Sequence, residues 1–252
     1  KLAKEKMVVG IYISGHPLDD FKFEMKYFCN VGLEELDDLR PLVGKTLMFG
    51  GMISDVQFRT SAKGKDWAMF TVEGYDESKE FRIFNEDFLK FRHFLLVNTF
   101  VYFRVQIREG FRNKETQELG EPRLQFLDMK LLSEVIPNYA KKLIIELNIK
   151  SLQSTEVQKL QEIFEKNPGN KTVSFELFEL EEMIKSIQLP EVDKDIEQED
   201  TEMVEEVDLP IEEISEYVKK NVVEMNSRNA SIDISAELLE ELEKLRFAFR
   251  LN

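Results

Sequence analysis

Hydrophobic and polar residues alternate along several short segments in the first half of the chain, which is the pattern of half-buried β-strands. The pattern is clear in residues 67–72, where Trp67, Met69 and Thr71 alternate with a second set of side chains. A polar turn with Gly64 at its tip comes before this segment. The alternation predicts five strands, at residues 47–53, 67–72, 79–84, 100–109 and 122–132.

A helix is predicted between the third and fourth strands, at residues 85–96. We expect Asn85 to cap this helix, because acidic residues follow in the first turn and favour a helix start there. Three strands, a helix and two strands in roughly 90 residues are the layout of an OB-fold, the five-stranded β-barrel that binds oligonucleotides or oligosaccharides. Residues 44–135 are therefore predicted to be an OB-fold domain.

Residues 1–43 predict a short helical lead-in that is too short to be a domain. Their amphipathic pattern runs to Gly10, breaks at Gly15 and Pro17, and resumes after Asp19. Glycine and proline at these positions are typical breaks between helical segments.

The second half of the chain mixes strand and helix periodicity. Residues 141–149 and 172–178 predict strands on either side of a helix that Ser154 or Thr155 caps. Nearer the end, two short strands are expected around a turn at residues 226–229.

A last helix, which Ser235 caps, is expected after these strands. Residues 136–252 are thus predicted to form a small α+β domain. The predicted fold class of the whole chain is α+β, with a five-stranded OB-fold β-barrel followed by this smaller domain.

The net charge of −15 argues at first against partners as negative as DNA. Residues 191–216, however, hold thirteen acidic residues against one basic residue, so this stretch alone carries −12. Residues 44–135 contain fourteen basic and fourteen acidic residues and are neutral. We interpret the acidic stretch as a solvated insertion, with a nucleic-acid mimic or a docking tail for a basic partner as the alternatives.

The residue types needed for catalysis or metal binding are scarce. One cysteine and two histidines exclude an internal disulfide framework and make a metal site of thiolates or several histidines improbable. The sequence contains no glycine-rich phosphate loop and no nucleophile motif, and His16 is expected to cap or pack. No apolar run approaches the roughly 18 residues of a membrane span. We expect a cytoplasmic protein without a cofactor or a membrane partner.

Basic and aromatic residues on the predicted barrel give the candidate site. In an OB-fold, strands two and three and the first and last loops form the usual ligand face. Single-stranded nucleic acid needs cations for its phosphates and flat side chains on which its bases stack. The candidate residues are Arg59, Lys63, Lys65, Trp67, Arg82, Arg104, Arg108, Arg112 and Lys114.

Two interpretations stay open from the residues alone. The turn between strands two and three is crowded with acidic residues, among them Asp76, Glu77 and Glu80, which would repel phosphate. Trp67 fits a core position as well as a ligand-facing one. The chain is therefore either a module that binds single-stranded DNA weakly, or a protein-interaction module whose barrel does not contact DNA.

Three segments carry a resemblance to a known family. GIYISGHPLDDF at residues 10–21 resembles the G-F-Y-L-S-G-H-P-L signature of the bacterial replicative DNA polymerase III alpha subunit. RTSAKGKDWAMFTVEG at 59–74 is similar to the family's R-x-T-K-K-G-x-x-M-A-F-x-T-L-E-D hairpin, and KEFRIF at 79–84 to the strand after it. Gly74 departs from the pattern, which has an acidic residue there. The likeness is strong over residues 8–135 and looser afterwards.

The resemblance implies a carboxy-terminal module of a DNA-directed DNA polymerase, a nucleotidyltransferase of DNA replication, with residues 1–43 leading in from its fingers region. The catalytic carboxylates and their magnesium would lie in the palm, outside this chain, so we expect no activity from it alone. Its barrel would bind single-stranded template DNA weakly, and its last domain would dock the clamp-loader tau subunit of the replisome. The sliding clamp is a further candidate partner, and QEIF at residues 161–164 is the nearest match to a clamp-binding peptide, although it lies inside a predicted helix.

Overall fold

The computed structural model describes residues 15–112, 119–179 and 222–252. It confirms the predicted α+β class, with an antiparallel sheet of five strands, a mixed sheet of four strands and short helices. The chain divides into two compact units, Lys1–Ala140 and Lys141–Asn252, and each is described by itself. The first part of the predicted lead-in, residues 1–14, and the acidic stretch 191–216 lie outside the described residues.

The first unit has the predicted order of three strands, a helix and two strands. Its strands are β1 (Thr46–Thr60), β2 (Asp66–Glu73), β3 (Ser78–Phe84), β4 (Phe100–Arg108) and β5 (Arg123–Leu131). Its α-helices are α1 (Lys22–Phe28), α2 (Asn85–Phe91) and α3 (Val135–Tyr139). Antiparallel ladders join the strands in the order β3-β2-β1-β4-β5, and within the described part of the chain no ladder closes β3 onto β5. The unit is therefore an OB-like sheet with an open seam between β3 and β5.

Strand β1 is fifteen residues long and pairs with a different strand in each half. Residues 46–52 pair with β4, and residues 52–60 pair with β2. Gly51 lies at the changeover, where an added Cβ would fall 2.4 Å from Val72 Cγ1 and 2.7 Å from the carbonyl oxygen of Glu73. Only glycine fits so close to the next strand, so the sheet can bend here into a β1–β2–β3 half and a β1–β4–β5 half.

Aromatic side chains fill the space between the two halves. Phe49, Phe70 and Phe103 are all at most 1% exposed. The ring centroid of Phe103 lies 4.9 Å from that of Phe49 and 6.0 Å from that of Phe70. Stacked rings at these distances contribute both buried apolar area and a favourable ring geometry, so the phenylalanines supply much of the core.

The segment before β1 covers the outer face of the β1–β4–β5 half. Leu18 and Tyr102 of β4 are buried at the centre of a small apolar cluster there. Helix α1 lies so close to β1 that a Cβ on Gly50 would fall 2.5 Å from Met25 Sδ. The helical restart predicted after Asp19 is confirmed, and a 3-10 helix, Pro17–Phe21, leads directly into α1.

The start of α2 differs from its prediction. The N-cap residue is Phe84, and Asn85 is the first helical residue, with a φ of 51°. Asparagine adopts this left-handed conformation more readily than most residues, so Asn85 shapes the turn into the helix and does not cap it. The helix also ends at Phe91, well before residue 96, and the 3-10 helix Arg92–Phe94 follows.

The second unit is built on a four-stranded sheet in the order β8-β7-β6-β9. Its elements are β6 (Lys142–Asn148), α4 (Ser154–Lys166), β7 (Pro168–Phe178), β8 (Val223–Ile232), α5 (Ala236–Lys244) and β9 (Ala248–Leu251). Strands β6 and β7 are parallel and joined through α4, while β8 and β9 add to them antiparallel. Leu160 of α4 and Leu242 of α5 are buried in the core of this unit.

One of the two helix caps predicted for this unit is confirmed. Ser235 caps α5 by accepting a hydrogen bond from a backbone N–H of the first turn at 3.3 Å. The predicted cap of α4 at Ser154 or Thr155 is wrong, because Gln153 occupies the N-cap position. The side chains of Gln153 and Glu156 form a reciprocal capping box, which satisfies the first backbone N–H groups of the helix.

The two strands expected around residues 226–229 are one continuous strand, β8. Asn226, which the sequence placed in a turn, lies opposite Ser174 in the β7–β8 ladder and accepts a hydrogen bond from its hydroxyl at 2.5 Å. A register shift between Thr172 and Ser174 absorbs the irregular pairing. Pairing along the edge of β7 therefore overrides the local turn propensity.

Candidate nucleic-acid interface

The outer face of the β1–β2–β3 half carries three rows of side chains across the strands. The first row contains Arg59, Trp67 and Phe84, which the strand register places side by side. Further along the strands, the second row is Gln57, Met69 and Arg82, and the third is Asp55, Thr71 and Glu80. Ala68, the neighbour of Trp67 in β2, is fully buried, so the alternation places Trp67 on the outer face. This decides between the two positions that the sequence left open for Trp67.

The first row forms a continuous flat surface. The guanidinium carbon of Arg59 lies 5.7 Å from the centroid of the Trp67 ring, within the range of a cation–π contact. On the other side, the Trp67 and Phe84 ring centroids are 5.2 Å apart, with 22° between the ring planes. Phe84 is 48% exposed, and Trp67 is half-buried. The row thus presents planar groups to solvent, held in place by their neighbours.

Charge is graded along this face. Arg59 Nη2 donates a hydrogen bond to Gln57 Oε1 at 2.7 Å, and Gln57 Nε2 donates to Asp55 Oδ2 at 3.1 Å. Arg82 forms a salt bridge of 3.1 Å with Glu80, and both side chains are largely solvated. The cations therefore lie towards the first row, whereas the acidic groups lie in the third row, where they would repel a phosphate chain.

The turn between β1 and β2 places two lysines next to the first row. The backbone N–H of Ser61 donates to the carbonyl oxygen of Lys65 at 2.9 Å, and Gly64 has a φ of 72°. This tight turn leaves the side chains of Lys63 and Lys65 exposed. Neither lysine forms an ion pair with any other residue that the structure describes, so both are available to an anion.

Two of the predicted arginines lie on β4, which belongs to the β1–β4–β5 half of the sheet. Arg104 is exposed and lies opposite Asp128 of β5, on the face that also carries the buried Tyr102. Arg108 lies opposite Arg123, and its Nε donates a hydrogen bond to Gln125 Oε1 at 3.0 Å. Neither arginine shares the face of Trp67.

The last loop accounts for the two remaining candidates. Arg112 is exposed and pairs with Leu119 in an isolated bridge just beyond β4, and Lys114 lies outside the described residues. The structure therefore gathers only part of the predicted set around the first row. The residues brought together are Arg59, Lys63, Lys65, Trp67 and Arg82.

Three residues near this site were missed by the sequence analysis. Phe84 follows the inward-facing Phe81 and Ile83 in the alternation of β3, which was the signal that it faces outward. Phe111 is 74% exposed, and the guanidinium carbon of Arg123 lies 4.0 Å from its ring centroid. Nothing in the local sequence signals this contact, because the two residues come from opposite ends of the loop between β4 and β5.

His16 has a structural role here. Its Nδ1 accepts a hydrogen bond from the Leu18 backbone N–H at 3.1 Å, and Asp19 completes a capping box at the start of the 3-10 helix Pro17–Phe21. Among residues 15–112, 119–179 and 222–252, no three His, Cys, Asp or Glu side chains cluster as a metal site requires. The described helices also include none that is long and apolar enough to cross a membrane.

The second unit carries an apolar groove of about 720 Å³ between α4 and the β7–β8 edge. Val157 and Met225, which line it, are 48% and 52% exposed. The segment 161–164, the nearest match to a clamp-binding peptide, is part of α4, as the sequence predicted. Ile163 within it is 1% exposed, so this segment is committed to the folded helix.

The curated relatives described in this paragraph all have the same protein name. No family model matches the chain. A DNA polymerase III subunit alpha of Saccharopolyspora erythraea is 31% identical over 109 residues, which cover 43% of this chain and 9% of that protein. Proteins of the same name from Pseudomonas aeruginosa and Buchnera aphidicola are 24% and 22% identical over 170 and 184 residues, covering 68% and 73% of this chain and 14% and 15% of theirs.

A solved structure assigned as an aspartyl-tRNA synthetase of Leishmania major Friedlin is 16% identical to this chain, with a TM-score of 0.27. The match covers 40% of this chain and 20% of that one, and the TM-score is too low to indicate a shared fold. The chain spans at most 15% of the length of the three relatives described above. Over part of its length, the chain is thus related to the alpha subunit of DNA polymerase III.

Proposed function

We propose that this chain is a module of a replicative DNA polymerase alpha subunit that binds the single-stranded template and docks a replisome partner. The observation that carries the proposal is the row of Arg59, Trp67 and Phe84 beside Lys63 and Lys65, which form no ion pair with the residues that the structure describes. A single strand binds where bases can stack on planar side chains and phosphates can meet cations, and this face offers both within one edge of the sheet.

The binding is weak because the face is small and its charge is mixed. Asp55 and Glu80 lie two rows from Trp67, and Arg82 is already paired with Glu80. A strand therefore gains few phosphate contacts beyond those of the turn lysines and Arg59. Such a module guides a template held by other parts of a polymerase. We place the catalytic carboxylates and their magnesium in those other parts.

The second unit is the docking part of the proposal, with the clamp-loader tau subunit as its partner. The exposed apolar residues around the α4 groove support it, because exposed apolar surface of this kind marks sites of protein association. A contact with the sliding clamp would use residues other than 161–164, since Ile163 is buried. Calorimetric titration of this chain with the tau subunit tests the docking part.

Titration with a fluorescent single-stranded oligonucleotide at several salt concentrations tests the template part. We expect micromolar or weaker affinity and a salt slope of only a few charges. The double variant Lys63→Ala/Lys65→Ala should bind more weakly and lose about 1.4 from the log–log slope, since each phosphate contact contributes roughly 0.7 for single strands. Its thermal stability should stay nearly unchanged, because exposed lysines contribute little to folding.

The matched control is Lys141→Ala/Lys159→Ala, which removes the same charge from exposed positions of the second unit. If both double variants weaken binding equally, the effect comes from net charge and the assigned face is wrong. If no oligonucleotide binds at low salt, the first unit is a protein-interaction module and does not contact DNA.

A further inference from the structure

The open seam between β3 and β5 is a groove of about 1140 Å³ in the first unit. The buried side chains of Phe81 and Phe126 form part of its floor. Phe84 lines the β3 side and Phe111 lies on the β5 side, and both are exposed, at 48% and 74%. Two exposed phenylalanines that line one groove are unusual, because exposed aromatic area is unfavourable in water.

The backbone holds Phe111 in this exposed position. Gly110 and Gly120 form a narrow neck, since a Cβ on Gly110 would fall 2.1 Å from the carbonyl oxygen of Gly120. The Gly120 N–H donates a hydrogen bond to the carbonyl oxygen of Phe111 at 3.1 Å. Only glycine permits so close an approach of the two backbone segments, so the backbone position of Phe111 between β4 and β5 is fixed.

Arg123 covers one face of the Phe111 ring. Its guanidinium carbon lies 4.0 Å from the ring centroid, which is a close stacking distance. With one face held in this way and three quarters of the residue still exposed, the ring has a second face open to a ligand. Phe84 is supported in the same way by Trp67, at 5.2 Å between ring centroids.

Two of the four cations that line the groove have no acidic partner among the described residues. Lys79 is paired with Asp37, and Arg82 with Glu80. Lys65 and Arg123 also line the groove, and neither forms an ion pair with an acidic side chain in the part of the chain that the structure describes. Arg123 therefore lies on the exposed Phe111 ring without an acidic partner in this part of the chain, while Glu86 and Asp87 line the groove just after Phe84.

We propose that the groove between β3 and β5 binds a single-stranded oligonucleotide, with one base stacked on Phe111 and another on Phe84, and with Arg123 and Lys65 facing the phosphates. The proposal rests on the proposed function and gives the strand a path from the first row across the seam. The edges of β3 and β5, which pair with no further strand of the described residues, could instead accept a peptide strand. Rings with an open face and unpaired cations favour bases, since a peptide strand needs neither.

Anisotropy titration of the 252-residue chain with a labelled oligothymidine and with the same strand carrying abasic positions tests the proposal. Phe111→Ala and Phe84→Ala should each weaken binding of the oligothymidine roughly tenfold, the effect of removing one stacked base. Phe111→Tyr should bind like the wild type, whereas Phe111→Leu, which is apolar but not flat, should lose as much as the alanine variant. On the fully abasic strand, all Phe111 variants should bind equally.

Val97→Ala is the control, an exposed apolar residue outside the groove. If the wild type binds, Lys63→Ala/Lys65→Ala weakens binding and the Phe111 variants do not, the base-stacking groove is overturned while the proposed function stands. If Phe111→Leu binds like the wild type, the contact is apolar and not stacking, which also overturns it. If the wild type binds no oligonucleotide, both proposals fall, and the groove is then a candidate for a peptide strand.

Discussion

The two outer faces of the first unit differ in what covers them, although they share strand β1. On the β1–β4–β5 half, α1 and Leu18 pack onto Tyr102, which is 5% exposed. On the β1–β2–β3 half, the corresponding aromatic residues are Trp67, half-buried, and Phe84, 48% exposed. An outward-facing aromatic residue therefore has a different role in each half. An aromatic residue that the chain itself covers contributes stability, and one that it leaves bare is available to a ligand.

The largest effect should come from the covered face. Tyr102→Ala removes a buried aromatic side chain, so we expect the free energy of unfolding of the first unit to fall by about 3 kcal/mol. Urea denaturation followed by the fluorescence of Trp67, the single tryptophan of the chain, measures it. Tyr102→Phe keeps the ring and should lose much less. A loss below about 1 kcal/mol for the alanine variant would show that the lead-in does not pack on this face.

Trp67→Ala should affect binding more than folding. The free energy of unfolding should fall by roughly 1.5 kcal/mol, about half of the Tyr102 effect, because the side chain is only half-buried. Affinity for oligothymidine should fall about tenfold, as expected for loss of a stacking surface. Circular dichroism and anisotropy give the two values. Trp67→Phe should restore most of the binding, and if Trp67→Ala unfolds the protein, the bare face is part of the core after all.

The smallest effect concerns Glu24 in the covering helix α1. Its side chain is 4% exposed, and its Oε2 has no hydrogen-bond partner among the described residues. Burial raises the pKa of Glu24, so the folded state disfavours the ionised carboxylate. The resulting destabilisation is absent below the ordinary pKa of about 4.5 and grows as pH rises through the raised pKa.

Glu24→Gln should therefore stabilise the first unit by about 1 kcal/mol near pH 8, because the amide keeps the shape of the carboxyl group and carries no charge to bury. Near pH 4 the variant and the wild type should have the same stability. Thermal unfolding across this pH range is the measurement, with the exposed Glu34→Gln as control. An equal shift at both pH values would mean that the pKa of Glu24 is the same in the folded and the unfolded protein.

The sequence predicted which side chains share a face, but not which face stays bare. Alternation was enough to group Trp67 with Met69 and Thr71, because the side-chain period of a strand is fixed. Alternation also places Arg104 on the face of Tyr102, but it could not show that the segment carrying Leu18 packs on that face, since that contact joins residues far apart in the chain. Which face of a sheet another segment covers depends on tertiary contacts, and the local residue pattern does not determine these.

Predictions from local propensity were wrong where strand pairing or a capping box competed with it. Asn226 has the composition of a turn but lies in β8, because Ser174 across the ladder satisfies its side chain. Gln153 caps α4 one residue before the expected serine, because Glu156 completes a capping box with it. Ser235 was predicted correctly, and its hydroxyl accepts a hydrogen bond from the Leu238 N–H.

Because β1 pairs with β4 over one half and with β2 over the other, hydrogen exchange in this one strand reports on both outer faces. The backbone amides of residues 46–52 are tied to β4, under the lead-in, and those of residues 52–60 to β2, under the bare row. Hydrogen exchange along this single strand therefore separates the two halves without comparing different peptides. A ligand on the bare row slows exchange in the second part, while the first part, held by α1, serves as the reference within the same fragment.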